Sequence, residues 1–211
     1  MPSPTRLPYL VDLVTFVGTL IAAFLLDWQT RELVWGLWLS SLIVGYGLIF
    51  IGIPMGLRRE ATRRADLQTP AWARTAALVA SGLGALFMMA FFTVHFGGFH
   101  LVHGVFLNAF FPITPVGNHE AFDYLRYLPR AMAFGWPLVL GSIVSTRDKF
   151  VNAGQGFNPM GIYGNVVRMH LLIFVFAFAA AAKLDQRWLY VVVLFFYFFP
   201  LRSLRDLLTR R

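Results

Sequence analysis

The sequence predicts an all-α integral membrane protein, built as a bundle of about six transmembrane helices in a single domain, residues 1–211. Three observations support this prediction. Hydrophobic residues make up 58% of the chain and charged residues only 13%, about half the charged fraction that is usual in soluble domains. The mean hydropathy is +0.64. Apolar runs close to the roughly 20 residues that a helix needs to cross about 30 Å of hydrocarbon recur along the whole chain.

The first predicted span covers residues 8–26 and contains Asp12 near its start. Because no small-residue cleavage pattern follows it, the pattern favours a retained span over a secretory signal. The second predicted span covers residues 33–53, with Pro54 at its exit. The basic stretch MGLRREATRRADLQTPAWAR follows, so residues 54–74 are predicted to form a loop.

Polar and aromatic residues near the ends of the spans give more local predictions. Trp35 and Trp38 are expected at the headgroup level, which aromatic rings favour. Arg168 lies inside the fifth predicted span, and Asp12 is its candidate ion-pair partner. Asn118 is a fair N-cap for a short interfacial helix.

Residues 75–111 are almost continuously apolar, with Gly97 and Gly98 as the interruption. As one helix these 37 residues would reach about 55 Å, longer than a bilayer core requires. The segment is therefore either one long, kinked span or two spans hinged at the glycine pair. Three further spans are predicted over residues 131–144, 162–182 and 188–201.

The distribution of basic residues favours one crossing for this long segment. With six spans, both termini share a side with twelve basic residues, and five lie opposite, with the eighteenth, Arg168, inside a span. Cytoplasmic loops carry an excess of Lys and Arg, so both termini are predicted to be cytoplasmic. A seven-helix alternative, broken at Gly97-Gly98, would place the basic tail RSLRDLLTRR outside. The twelve are Arg6, Arg58, Arg59, Arg63, Arg64, Arg74, Arg147, Lys149, Arg202, Arg205, Arg210 and Arg211, and the five are Arg31, Arg126, Arg130, Lys183 and Arg187.

The net charge of +8 does not indicate nucleic acid binding, because the basic residues cluster beside the ends of the spans and form no recognisable binding module. They are better interpreted as topology determinants that also meet anionic lipid. The predicted partners are the lipid bilayer and other membrane subunits.

Histidines are the most distinctive polar residues within the spans. The stretch FFTVHFGGFHLVHGVF contains His95, His100 and His103, and His170 lies in the fifth predicted span. On a regular helix His100 and His103 are separated by about 60° and 4.5 Å, so both rings could reach one ion. His95 and His103 are about 12 Å apart along the axis, too far to share a metal unless the helix bends. The chain contains no cysteine, so a metal would need His, carboxylate or carbonyl ligands.

The chain resembles a family of bacterial polytopic membrane proteins that is known only as a domain of unknown function. The resemblance rests on three stretches and on the closing LRSLRDL; the stretches are DWQTRELVWGLWLSSLIVG, FFTVHFGGFHLVHGVFLNAFF with its paired V-H motif, and YGNVVRMHLLIF. Such proteins show histidines that match His95, His103 and His170, which makes these three metal-ligand candidates, whereas helix geometry favours His100.

The chain also departs from that family pattern. Ser40 stands where an intramembrane Glu is expected, Ser145-Thr146 replaces Ser-His, and Asn165 replaces an Arg after Tyr-Gly. If the family builds a carboxylate and histidine metal site, this member lacks some of its ligands. The resemblance implies no reaction, and an accessory role is favoured over an enzymatic one.

Three functional hypotheses follow from the sequence. The first is a metal site for Zn, Cu or Fe formed by His95, His103 and His170, with His100 as a further candidate. The second is a b-type haem held by His170 and one histidine of the third span, with Gly97, Gly98 or Gly104 providing room for the ring and Arg168 meeting a propionate. The third is a cofactor-free scaffold subunit whose small-residue faces, such as ALVASGLGALF, pack against other helices.

Overall fold

The computed structural model describes residues 7–65, 70–113 and 121–152, together with scattered positions between 167 and 195. All regular secondary structure within these residues is helical, which confirms the predicted all-α class for this part of the chain. Within the continuous stretches up to residue 152, five helices follow one another: α1 (Leu7–Leu25), α2 (Thr30–Ala65), α3 (Ala71–Phe110), α4 (Tyr124–Ser145) and the short α5 (Arg147–Val151).

Three of these helices are long and apolar enough to cross a membrane, namely Thr30–Arg63, Ala71–Phe110 and Tyr124–Ser145. A shorter apolar helical stretch, Leu10–Leu25, corresponds to the first predicted span. The first four predicted spans therefore coincide with helices. The fifth and sixth predicted spans lie mostly outside the described residues.

The turn between α1 and α2 is tight. Asp27 adopts φ 47°, and the Trp28 backbone N–H donates to the Ala23 carbonyl over 3.0 Å. The Glu32 carboxylate then accepts from the Gln29 backbone N–H at 3.0 Å, which is one half of a capping box at the start of α2. The connection between α1 and α2 therefore comprises residues 26–29 only.

Helix α2 continues 12 residues beyond its predicted end at Ile53, passing through Pro54 to Ala65. The predicted loop over residues 54–74 is therefore wrong for most of its length. The segment RREATRRA consists mainly of good helix formers, and a Glu60–Arg63 ion pair at 2.8 Å supports its exposed side. Proline costs the helix one backbone hydrogen bond and does not end it here.

Helix α3 runs without interruption through the glycine pair over its 40 residues, a length of about 60 Å. The seven-helix alternative is thus wrong in placing a break at Gly97-Gly98. The hydroxyl of Tyr124 donates to the Gly97 carbonyl at 2.7 Å, and the Tyr46 hydroxyl occupies the space where a Gly97 side chain would lie. The glycine therefore permits close packing of neighbouring side chains and does not act as a hinge.

Helix α2 lies at the centre, in contact with α3 on one side and α4 on another, while α1 packs on α4. Helices α2 and α4 approach each other closely at two glycines, since a Cβ on Gly135 would lie 3.0 Å from the Gly36 Cα. Small residues allow helix backbones to approach closely in this way.

Two local predictions involve residues outside the described ranges. A partner of Asp12 in the structure is Arg147, whose guanidinium donates to the Asp12 carboxylate; Arg168 lies outside the described residues, so the Asp12–Arg168 pair stays a prediction. Helix α4 is capped by Asp123, whose carboxylate accepts from the Leu125 backbone N–H at 2.9 Å. The predicted N-cap, Asn118, lies outside the described residues. Helix α4 also begins seven residues before the predicted fourth span.

Candidate functional site: a buried histidine pair among aromatic rings

Two histidines of helix α3 lie in the interior of the protein. The side chain of His100 is 0% exposed and that of His103 is 4% exposed. Their ring centroids lie 6.2 Å apart with the planes at 72°. The spacing of three residues thus brings these two imidazoles together on the buried face, as helix geometry predicts.

The tautomer of His100 follows from its hydrogen bond. Its Nδ1 lies 3.0 Å from the Phe96 carbonyl oxygen. Because a carbonyl oxygen can only accept, Nδ1 must carry the proton, and in the neutral ring Nε2 is then the basic nitrogen. A bond of this type from Nδ1 to a backbone carbonyl sets the orientation in which a histidine presents Nε2 to a ligand.

The indole of Trp38, on α2, contacts the turn of α3 that contains His100. Its Nε1 donates to the His100 carbonyl at 3.0 Å, and its ring centroid lies 6.2 Å from that of the imidazole. The ring of Phe96 packs against the same imidazole with a centroid separation of 4.3 Å. His100 is therefore fixed by one hydrogen bond of its ring, one at its carbonyl and two aromatic contacts.

Trp35 and Trp38 do not present their rings on the outside of the bundle, because both are 0% exposed; their depth in the membrane stays a prediction. Their polar Nε1 atoms are satisfied inside the protein, by the Phe111 carbonyl at 2.7 Å and the His100 carbonyl at 3.0 Å, respectively. The two indoles are in edge contact at 5.4 Å and form the centre of an aromatic cluster. Its other rings are Phe122, Tyr124 and Tyr127.

Two tyrosines bind the carbonyls of the adjoining turns of α3. Tyr46 on α2 donates to the Thr93 carbonyl at 2.9 Å, and Tyr124 on α4 donates to the Gly97 carbonyl at 2.7 Å. Together with the indoles, these hydroxyls join α2 and α4 to the part of α3 that carries the histidines. The sequence reasoning missed these aromatic donors, because the partners lie on three different helices.

His95 lies apart from the buried pair. Its side chain is exposed, and its ring contacts Phe91 and Phe99 on the same helix, with centroid separations of 5.2 Å and 5.0 Å. His170 lies outside the described residues. Among the residues that the structure describes, no group of three His, Asp or Glu side chains is placed to hold a metal ion. Metal binding by these four histidines therefore stays a prediction, and the structure brings together only His100 and His103 of the described three.

The room that the haem hypothesis assigned to glycines is largely occupied. The Phe122 ring fills the space beside Gly104, and the Tyr46 hydroxyl fills that beside Gly97. Gly98 has open space beside it but lies on the exposed side of α3. A macrocycle beside Gly97 or Gly104 would therefore have to displace packed aromatic side chains, and the haem hypothesis stays a prediction.

The described chain is an all-helical protein with three helices suited to crossing a membrane and a buried pair of imidazoles enclosed by aromatic rings. This architecture places the chain in the class of helical proteins suited to crossing a membrane. The chain belongs to a family of unknown function (DUF6498), whose family model matches residues 2–209. The predicted membership in a family of unknown function is thereby confirmed. No curated protein and no solved structure matches the chain.

Proposed function

We propose that the protein is a multi-pass protein of the bacterial cytoplasmic membrane, with about six spans and both termini in the cytoplasm. Three helices of suitable length and apolarity support the proposal. The described basic residues are also divided between the two ends of the bundle, because α2 and α4 run parallel. Arg31 and Arg126 lie at the starts of these two helices. Arg58 and Arg147 lie towards their opposite ends. That second end holds the larger share of positive charge, as the cytoplasmic side does in most membrane proteins.

Within this framework we propose that His100 and His103 bind one divalent transition metal ion, with Zn, Cu and Fe as the candidates. The observation that carries the proposal is the separation of 6.2 Å between the two buried ring centroids. In a zinc site with Zn–N bonds of about 2.1 Å, the centroid of each imidazole ring lies about 3.2 Å from the ion. Two imidazole ligands in tetrahedral geometry therefore have ring centroids about 5.2 Å apart. A rotation of either side chain by a modest angle closes the difference of about 1 Å.

The orientation of His100 further supports metal binding. Its Nδ1 proton is committed to the Phe96 carbonyl, which leaves Nε2 as the ligand atom of the neutral ring. His170, which matches a histidine of the resembling family, is the proposed third ligand. The ion would serve a structural purpose, tying α3 to a neighbouring helix, and the protein would be a non-enzymatic membrane component.

The test is elemental analysis, with an absorption scan, of purified protein and of matched variants. Wild-type protein is expected to carry about one metal ion per chain, as a site of this type does. His100→Gln and His103→Gln are expected to lose it, and His170→Ala as well. The control is His95→Gln, which changes the same residue type on the same helix at an exposed position, and it is expected to retain the metal.

A second measurement separates loss of the ion from loss of the fold. Adding the metal back to stripped wild-type protein is expected to raise its Tm, because a ligand that binds only the folded state stabilises it. The two glutamine variants are expected to show no such rise. If the wild-type protein contained no metal, the cofactor-free scaffold would be the supported function. A Soret band in the absorption scan would indicate haem. If His95→Gln lost as much metal as the buried variants, the assignment of the site to His100 and His103 would be wrong.

A further inference from the structure

The segment that leads into α4 lies against the other helices with alternating side chains. Asp123 is extended, with φ -138° and ψ 124°, and in an extended chain the side chains on either side of such a residue point in the same direction. The rings of Phe122 and Tyr124 accordingly both pack against Trp38. The Asp123 carboxylate between them is exposed and caps α4. We call residues 122–124 the strap.

The ring of Phe122 occupies space that α3 leaves free at Gly104. A Cβ on Gly104 would collide with this ring, so a larger residue there would exclude it. Gly104 follows His100 by four residues, and helical side chains lean towards the N-terminus, over the preceding turn. A ring in the side-chain space of Gly104 therefore covers the turn of α3 that contains His100.

The strap is also the part of the aromatic cluster that reaches the surface. Trp35, Trp38 and Tyr127 are each 0% exposed, whereas Phe122 and Tyr124 are half-buried. Within the described part of the chain, a path from the surface through this cluster to His100 therefore passes the strap.

The two rings of the strap are held by different contacts. Tyr124 donates to the Gly97 carbonyl at 2.7 Å and stacks on Trp38 with ring centroids 5.8 Å apart. The side chain of Phe122 has no polar atom, and its ring lies against those of Trp35 and Trp38 at 5.9 Å and 5.8 Å. Phe122 can thus rotate outwards without breaking a hydrogen bond, whereas Tyr124 cannot.

We infer that Phe122 is the gate of the buried imidazole pair. Its ring closes the site in the structure and opens it by rotating away from Gly104, while the Tyr124 hydrogen bond and the Asp123 cap hold the backbone of the strap. An apolar group of this kind controls the access of water and ions to a site. The ion that passes the gate is that of the proposed function, on which this part of the inference rests. The closure over His100 is testable in protein without metal.

The other phenylalanine against His100 does not suit this role. Phe96 contacts the imidazole more closely, with ring centroids 4.3 Å apart, but it is only 1% exposed. Its ring occupies the side-chain space of Gly45 on α2. Phe96 therefore packs on His100 from the inside and does not connect the site with the surface.

The test is the rate at which diethyl pyrocarbonate, a reagent for unprotonated imidazole nitrogens, modifies each histidine of the whole chain in detergent, without metal, as measured by mass spectrometry. His95, exposed on the same helix, is the internal standard. In the wild type His100 is expected to react about 10–1,000-fold more slowly than His95, because a minor open state is typically populated at about 0.1–10%. Phe122→Ala is expected to raise the His100 rate at least about tenfold and to leave the His95 rate unchanged.

A second variant opens the gate by another route. In Gly104→Ala the new Cβ displaces the Phe122 ring, so labelling of His100 is expected to accelerate here as well, and this variant decides the question if Phe122→Ala does not fold. The matched controls are Phe110→Ala, whose ring is 57% exposed on α3, and Gly98→Ala, which has open space beside it. Both controls are expected to leave His100 as protected as in the wild type.

Zinc release separates the gate from the metal site. From zinc-loaded protein, Phe122→Ala and Gly104→Ala are expected to lose the ion to EDTA at least about tenfold faster than the wild type, with unchanged stoichiometry. The inference is overturned if His100 reacts as fast as His95 in the wild type, or if Phe122→Ala and Phe110→Ala give equal His100 rates. A wild type that binds no zinc would contradict the proposed function alone, because the labelling rates decide the gate without it.

Discussion

Replacing Trp38 by phenylalanine tests the packing that surrounds His100. The indole is 0% exposed, its Nε1 donates to the His100 carbonyl at 3.0 Å, and its ring meets that of Trp35 at 5.4 Å. Phenylalanine keeps a ring at the same position but removes both the hydrogen-bond donor and part of the ring. The variant should therefore fold and be less stable than the wild type.

The magnitude follows from two contributions. A hydrogen bond between helices in a membrane protein contributes about 0.6 kcal/mol on average. The smaller ring leaves about 40 Å³ unfilled, which at about 24 cal/mol per Å³ costs about 1 kcal/mol. Partial loss of the indole contact with Trp35 adds a few tenths of a kcal/mol. The total of about 2 kcal/mol corresponds to a Tm lowered by about 4–8 °C in a chain of this size.

The assay is thermal unfolding of the detergent-solubilised protein, followed by near-UV circular dichroism. Trp136→Phe is the matched control, because Trp136 is 49% exposed on α4, and it should change stability by less than about 0.5 kcal/mol. If Trp38→Phe were no less stable than Trp136→Phe, the hydrogen bond and packing assigned to the buried indole would be wrong.

Two further tests concern contacts elsewhere in the bundle. In Gly45→Ala the new Cβ would overlap the Phe96 ring, so we expect the free energy of unfolding to fall by about 1–3 kcal/mol. Gly98→Ala, where nothing lies within 4 Å of the new Cβ, should be neutral or stabilising by up to about 1 kcal/mol. Similar Tm values for the two variants would refute this reasoning. Asp12→Asn and Arg147→Gln remove one partner each of the α1–α4 ion pair, and a double-mutant cycle should give a coupling energy of at least about 0.5 kcal/mol. Strictly additive effects in the cycle would show that the pair contributes nothing to stability.

The helical class and the position of the first four spans could be predicted from the sequence, because apolar runs of about 20 residues have one stable form in a bilayer. The extension of α2 through Pro54 could not be predicted in this way. A proline following an apolar run is typical of a helix end, and only the continued helical backbone shows that the basic segment belongs to the same helix.

The histidines also separate what the sequence predicts from what depends on helix packing. Spacing along a helix predicts that His100 and His103 are neighbours, and they are. Spacing also separates His95 from them, but the resemblance to the family placed His95 in the same site. The exposed position of His95 depends on which side of α3 the other helices cover, and this is a property of the packing.

By itself, then, the sequence determined that this chain is helical, suited to a membrane, and supplied with a pair of imidazoles on one helical face. These properties follow from composition and from the fixed 3.6-residue period of the helix. The tertiary structure decided which face is inside, through Trp38, Tyr46 and Tyr124, which reach α3 from two other helices. Contacts between distant segments have no local signal in the sequence, because each depends on the direction in which two separate helices pack.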